Sequence, residues 1–325
     1  KFASELAKRF FARMGSEDCY SRHIENADYS GLLQLSPHIS SGAEVYRNYV
    51  AGIGMLKKLP CLPLSINPKL AAVEKFLQGE AKCRETNLLF NLWKRGEFQF
   101  HPVVESILHA TQRKIRDIVG EVPDVSNVRF RFSPGGASTS TKKKDSEIRT
   151  LIANLNHCSE ELSSDPLLGE VLKTVPLLSS FFIEEDSCPD SFLVSVNRSR
   201  LDFVPKDAST DRIITVEPDL NKFVQNGYGD VLRLRAKRAG IDLSDQSRNQ
   251  ELARIGSLNN SIATVDLTNA SGLLALGLVE HLWPPEWFDL LMAIRSGYTT
   301  YGDFLFHMAA YAGMGNGTTF PVESI

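Results

Sequence analysis

Ser261-Ile262-Ala263-Thr264-Val265-Asp266-Leu267-Thr268-Asn269-Ala270-Ser271 is the stretch on which the fold turns. At a period of two, Ala263, Val265 and Leu267 share one face and Ile262, Thr264 and Asp266 the other, so Ser261 to Leu267 is predicted to be a strand. An aspartate near a strand end is most often a turn or capping residue, and in a minority of proteins a metal ligand. Its neighbours along the chain have to decide between the two.

Upstream, Phe203-Val204-Pro205-Lys206 and Arg212-Ile213-Ile214-Thr215-Val216 flank a turn-rich Asp207-Ala208-Ser209-Thr210-Asp211. This predicts a hairpin from Asp202 to Val216 with Lys206 and Arg212 facing each other across its loop. Such a pair is commonly a solvated face. A basic helical stretch with Arg233, Arg235, Lys237 and Arg238 follows, then the polar segment Asp245 to Gln250. Downstream, Pro284-Pro285 opens a helix in which Trp287 pairs with Leu291 and Phe288 with Met292, four residues apart. The glycine turn Gly313-Met314-Gly315-Asn316-Gly317 comes next, without the preceding strand that a dinucleotide loop requires.

The first third of the chain reads as helical. Asn67-Pro68 is an N-cap followed by proline at the first helical position, and Leu70, Val73, Phe76, Leu77, Ala81 and Leu88 recur at helical spacing. Further helices are expected from about Gly42 to Leu59 and from Pro102 to Val119. Arg129-Phe130-Arg131-Phe132 alternates like a strand and leads into a polar loop from Ser133 to Lys142, Lys143 and Lys144. That loop suits phosphate contact and plain solvation equally. It is not a P-loop, because the second glycine before Lys-Ser/Thr is missing.

Composition sets wide limits. With 325 residues, 42% apolar and 23% charged, the chain has the make-up of a globular protein large enough for more than one lobe. No apolar run is long enough for a membrane span, and no signal peptide stands at the start. The first residue is Lys1, so the true N-terminus is expected upstream. Cys19, Cys61, Cys83, Cys158 and Cys188 are scattered and odd in number, which argues against a disulfide scaffold or a zinc site and fits a reducing cytoplasm. A net charge of −3 means that any nucleic acid would be held by local basic patches.

The order and wording of these segments carry a resemblance. Phe203-Val204-Pro205-Lys206-Asp207, Thr210-Asp211-Arg212 and Glu217-Pro218-Asp219-Leu220-Asn221-Lys222 resemble the fingers motif of positive-strand RNA bacteriophage replicases, the Q-beta replicase beta-subunit family. Gly240-Ile241-Asp242-Leu243 and Asp245-Gln246-Ser247-Arg248-Asn249-Gln250 continue it. Ala263 to Ser271 resembles palm motif A of that family, and Met314-Gly315-Asn316-Gly317 with Phe320, Glu323 and Ser324 resembles motif B. The strong match runs from Phe203 to Ile325, and a weaker one reaches back through Gly135-Gly136-Ala137 and the region of Leu56 to Phe76.

The resemblance implies an α+β right-hand polymerase: a mainly helical N-terminal region and fingers over 1–200, a fingers motif and basic region over 201–250, and the start of the palm over 251–325. It implies RNA-templated RNA synthesis by a two-metal mechanism, with Asp266 as catalytic metal ligand and the carbonyl of Leu267 as a further donor to Mg²⁺, or to Mn²⁺ in its place. Lys206 and Arg212 would cover the triphosphate, which brings about four negative charges. Gly315 and Gly317 would let backbone approach the nucleotide closely, and Asn316 would bond to it. Arg233, Arg235, Lys237 and Arg238 would follow RNA phosphates, a solvated helix face being the equal alternative. The implied partners are template and nascent RNA, nucleoside triphosphates, host elongation factors Tu and Ts and a ribosomal small-subunit protein, in the cytoplasm of an infected bacterium.

Two departures stand out. Relatives carry a second aspartate six positions after the motif A ligand, where it helps recognise the ribose; this chain has Gly272, followed by Leu273 in place of a serine. The chain also stops at Ile325, ahead of the Gly-Asp-Asp of motif C and ahead of the thumb. The expectation is a partial sequence, or one half of a split polymerase, that does not polymerise alone. A non-catalytic RNA-binding or assembly protein derived from a polymerase is the alternative, and a reverse transcriptase, which shares the palm but not the fingers wording, ranks far below both.

Overall fold

In the computed structural model, the described residues are residue 5 and residues 22–34, 43–59, 62–132, 157–176, 194–265 and 267–325. The polar loop from Ser133 to Lys144 and the aspartate Asp266 lie outside them. The elements that matter below are helices α1 (Tyr29–Gln34), α2 (Ala43–Lys57), α3 (Pro68–Lys94) and α4 (Pro102–Val119); strand β1 (His157–Cys158); helices α5 (Glu160–Ser163) and α6 (Pro166–Lys173); and strands β2 (Ser195–Val196), β3 (Ser199–Pro205) and β4 (Asp211–Val216). They continue with α7 (Asp219–Arg238), α8 (Ser247–Asn259), α9 (Leu276–Leu282), α10 (Pro285–Ile294), β5 (Tyr298–Tyr301), β6 (Phe304–His307) and α11 (Thr319–Ser324). The mixture of helix and sheet is the expected α+β class.

The main helices start where the local chemistry places them. The Asn67 side chain accepts from Lys69 N at 3.0 Å and Leu70 N at 3.4 Å, capping α3, with Pro68 at its first position. His101 caps α4 by accepting from Val103 N, again ahead of a proline. The helix expected from about Gly42 to Leu59 is α2, and α10 begins at Pro285 with Trp287, Leu291 and Ile294 fully buried.

The chain divides into two compact units, one of Lys1–Leu77 with Phe203–Ile213 and the other of Gln78–Asp202 with Ile214–Ile325. Each unit draws on two separate stretches of the chain. The first has a small core of Ile24, Tyr29, Leu32, Ile53, Leu56, Leu62 and Ala208, into which the hairpin loop is drawn by a 2.6 Å bond from Ala208 N to Lys57 O.

The second unit is organised around α7. Its Leu220, Phe223, Val224, Tyr228, Leu232 and Ala236 are buried, and each fully buried leucine contributes roughly 1.5–3 kcal/mol. Trp287 of α10 lies edge-on to Tyr228, and its indole N–H donates to Gly120 O at 2.7 Å. The same helix buries Asn221 and Gln225, which is tolerable because each amide is bonded. Asn221 Oδ1 accepts from Ser159 N at 2.7 Å, and the Nδ2 and Nε2 groups of Asn221 and Gln225 both donate to Ile294 O.

The sheet runs β4-β3-β5-β6. The expected hairpin is present as the neighbours β3 and β4; β5 joins β3 in parallel with Ser199 opposite Thr299, and turns back into antiparallel β6 through Gly302 at φ +57°.

Two expected strands are absent. Ser261 to Leu267 forms no strand among its described residues: Val265 is 82% exposed and Leu267 71% exposed, and no strand is paired with them. Alternation gives a segment two faces, but a strand exists only when a neighbour accepts its backbone hydrogen bonds. Arg129 to Phe132 likewise belongs to no strand. Its alternation is satisfied by a helix instead, since Phe130 and Phe132 lie against Phe223 of α7 while Arg131 turns outward to Asp230 at 2.8 Å.

Candidate functional site

The glycine turn before α11 is held at nearly every peptide. Thr215 of β4 donates from its backbone N to Met314 O at 2.7 Å and from its hydroxyl to the same carbonyl at 3.2 Å. Lys222 Nζ donates to Gly315 O, Gly317 N donates to Gln225 Oε1 at 3.0 Å, and Arg233 donates to Gly317 O at 3.4 Å. Asn316 is buried, its amide donating to Glu217 Oε1 at 3.4 Å and its carbonyl accepting from Thr318 N and Oγ1. Thr318 Oγ1 is in turn 2.7 Å from Tyr311 OH. The Glu217–Lys222 segment and the turn, far apart in sequence, are thus wound together.

This geometry explains the glycines. Gly315 has φ +125°, a conformation L side chains rarely adopt, and a Cβ on it would lie 2.2 Å from Thr215 O. A Cβ on Gly313 would lie 2.1 Å from Thr215 Oγ1, and one on Gly317 would lie 2.9 Å from the Gln225 backbone. The missing side chains make room for β4 and α7 of the chain itself. The solvent-facing part of the turn is Met314 and Gly315.

Beneath it lies a buried polar group. Burial pushes the Glu217 carboxyl up to about 7, against the pull of Gln225, Lys222 and Asn316, and lowers the Lys222 ammonium to about 8 against the pull of Glu217. Arg295 is 1% exposed and donates to Met308 O at 3.1 Å. Glu80 of α3, also buried, accepts from Ala309 N at 2.6 Å and Ala310 N at 3.3 Å, while Asn87 donates to Ala309 O at 2.9 Å and accepts from Gly277 N at 2.7 Å. These residues fix the chain leading into the turn. Sequence reading missed Glu80, Asn87 and Arg295, because their partners are backbone groups that carry no sequence signal.

The four basic residues of α7 go separate ways. Helical spacing puts Arg233 and Lys237 on one face and Arg235 and Arg238 on another. Arg233 bridges Asp230, at 3.1 Å, and the glycine turn. Arg235 donates to Val119 O and Glu121 O at the end of α4 and lies over the Trp287 ring at 5.4 Å. Lys237 pairs with Asp242 at 2.7 Å, and Arg238 is exposed. The structure therefore brings Arg233 to the turn and sets Arg235 to a packing task.

In the first unit, Lys206 and Arg212 are exposed on either side of the hairpin loop. Asp207 shapes that loop by accepting from Ser209 N and Thr210 N at 2.9 Å each. Lys58 Nζ donates to Lys206 O at 3.2 Å, and Lys69 lies over the Phe203 ring at 5.7 Å. Folding thus adds Lys58 and Lys69 to the cationic pair read from sequence.

Leu267 is exposed, and among the described residues no group of three or more His, Cys, Asp or Glu could hold a metal ion. The described side chains therefore do not themselves fit a two-metal centre. Among the described residues no helix is long and apolar enough to cross a membrane.

Comparison with known proteins gives these segments a context. A family model described as RNA replicase, beta-chain, matches residues 25–325. The RNA-directed RNA polymerase subunit beta of Enterobacteria phage SP is 37% identical over 298 residues, covering 89% of this chain and 49% of that protein. That of Escherichia virus Qbeta is 35% identical over 299 residues, covering 90% and 48%. The RNA-directed RNA polymerase beta chain of Enterobacteria phage GA is 44% identical over 122 residues, covering 38% and 23%. The class to which these matches assign the chain is that of phage replicase proteins. More particularly, the chain belongs to the RNA replicase beta-chain family. It spans about half the length of the curated relatives it matches.

Proposed function

We propose that this chain forms the fingers and first part of the palm of a right-hand RNA-directed RNA polymerase that copies a phage RNA genome. The observation that carries this reading is the winding of Glu217–Lys222 and Arg233 around the Gly313–Thr318 turn. It holds one exposed peptide, at Met314 and Gly315, on a buried polar base. A template-copying enzyme needs such a fixed backbone surface, because preorganised groups do not have to be rearranged at each addition.

In this reading Lys206 and Arg212, reinforced by Lys58, cover the triphosphate of the incoming nucleotide; Gly315 and Gly317 shape its site, with Asn316 fixing the turn from below. The exposed Arg238 is proposed for RNA phosphates, with Arg233, Lys237 and Arg235 contributing more weakly because each is already paired. Asp266 is proposed as the metal ligand contributed by this chain, Leu267 O as an accompanying donor, and Mg²⁺, or Mn²⁺ in its place, as the metal of the whole protein. Elongation factors Tu and Ts and a ribosomal small-subunit protein are the proposed helpers, in the cytoplasm of an infected bacterium.

The test is primer extension by the complete protein on an RNA template. Asp266→Asn is expected to lower nucleotide incorporation by on the order of 10²–10³-fold. Unchanged incorporation would overturn the assignment. Gly272 favours a second reading, a polymerase-derived RNA-binding protein, which instead expects salt-sensitive RNA binding and no incorporation by the unsubstituted protein.

A further inference from the structure

The two edges of the sheet are finished differently. At one, β4 gives its Thr215 N–H to Met314 O at 2.7 Å. At the other, β6 is the last strand among the described residues. Its sequence, Phe304-Leu305-Phe306-His307, has no lysine, proline or acid of the kind that keeps an edge from pairing. Phe304 is 69% and Leu305 49% exposed, and Asp303 and His307 at the two ends are exposed as well.

The ladder to β5 fixes which peptide groups are left for a neighbour. Tyr301 stands opposite Phe304 and Thr299 opposite Phe306, and the next such pair is bonded from Met308 N to Gly297 O at 2.9 Å. Bonded pairs in an antiparallel ladder recur at every second residue, so Phe304 and Phe306 turn their peptide groups towards β5 while Leu305 and His307 turn theirs outward. A strand added at this edge must bond through 305 and 307, and through 303 just before them. A second β6 running antiparallel meets this condition with Leu305 opposite Leu305, a register that also sets Asp303 opposite His307 at both ends. An imidazole in either protonation state has an N–H to donate to a carboxylate, so the two ends are complementary. On the other face Phe304 would lie beside Phe306 of the second copy, extending the ring pair these two residues form within one chain at 6.5 Å. A one-residue slip would oppose residues whose peptide groups point the wrong way.

We propose that β6 is a self-association edge, at which two copies of the protein join antiparallel about a twofold axis through Leu305. The occupant is a second copy because the strand carries its own complement, an acid and an imidazole at equal distance on either side of the centre. Such an interface is isologous, each copy giving and receiving the same contacts. The two four-stranded sheets would become one continuous sheet, and the exposed Phe304 and Leu305 side chains would be covered. Four residues a side make a small interface, so the dimer is expected to be weak and dependent on concentration. The association does not depend on the polymerase reading.

The experiment is sedimentation velocity of the complete protein over a concentration series, in which a monomer–dimer equilibrium is expected. Leu305→Lys opposes two ammonium groups at the axis and should weaken the dimer by on the order of 10-fold. His307→Asp opposes two carboxylates at each end and should weaken it to a similar degree. Adding Asp303→His to that variant reverses the pair and should bring the dimer back to within about 3-fold of the original. The reciprocal change separates pairing from folding, because it would not repair a chain that had failed to fold. A monomer at every concentration overturns the inference, the edge then being open or covered by another part of the complete protein. A dimer indifferent to Leu305→Lys and to His307→Asp overturns it too, since its interface lies elsewhere. Primer extension reads the polymerase proposal separately, and neither result decides the other.

Discussion

The turn at Gly313–Thr318 and the segment at Ser261–Leu267 carry the two motifs most expected to do chemistry, and they are held in opposite ways. Thr215, Lys222, Gln225 and Arg233 bond to the turn's backbone, and Asn316, Gly317 and Thr318 are buried. The described residues of the other segment belong to no helix or strand and are solvated, with Ile262 38% and Val265 82% exposed. A glycine turn can be fixed by side chains reaching in from one helix and one strand. A strand needs a second backbone bonded along its length, and among the described residues no strand pairs with this segment, although Gly256 of α8 lies close against Ile262.

The sharpest way to break this contrast is Gly315→Ala. The new methyl meets the Thr215 carbonyl and forces an L residue to φ +125°, so a loss of about 3 kcal/mol or more is expected, read as a lower urea midpoint. Near-wild-type stability would mean that the turn is not clamped.

A smaller effect concerns the buried base of the turn. The Glu217 carboxyl is raised in the folded chain to about 7 from 4.5, so the native state holds its proton more tightly than the unfolded state does. Its contribution is therefore full below about pH 4.5 and is lost as pH rises through about 7. Lys222 acts in the opposite sense higher up, its cost being relieved as pH climbs from about 8 towards 10.5. Glu217→Gln is expected to remove the decline between about pH 4.5 and 7 in urea midpoints measured across that range. An unchanged decline would assign it to another group.

The smallest effect is expected at the solvated segment. Val265→Ser should change stability by no more than about 0.5 kcal/mol, and the amides of 262–265 should exchange with solvent far faster than that of Gly317. Strong protection at 262–265 would erase the distinction between the two regions.

Much of the helical framework could be read directly. Asn67-Pro68 and Pro284-Pro285 announce their helices because caps and proline geometry act within a few residues. The hairpin at Lys206–Arg212 was legible for the same reason, since Asp207 bonds to amides two and three residues on. Arg129 to Phe132 was misread, because a period of two fits an extended segment lying on a helix as well as one in a sheet. The basic run on α7 was legible only as composition. That Arg235 reaches the last carbonyls of α4 while Arg233 reaches the glycine turn depends on neighbours more than eighty residues away.

The sequence by itself determined the family, the helix starts, the hairpin and the identity of the glycine turn, all set by local backbone chemistry or by the order of short motifs. Only the tertiary structure decided which side chains grip that turn and why its glycines must be glycines. Those outcomes depend on backbone atoms brought from distant parts of the chain, and a carbonyl or an amide looks the same at every position in a sequence.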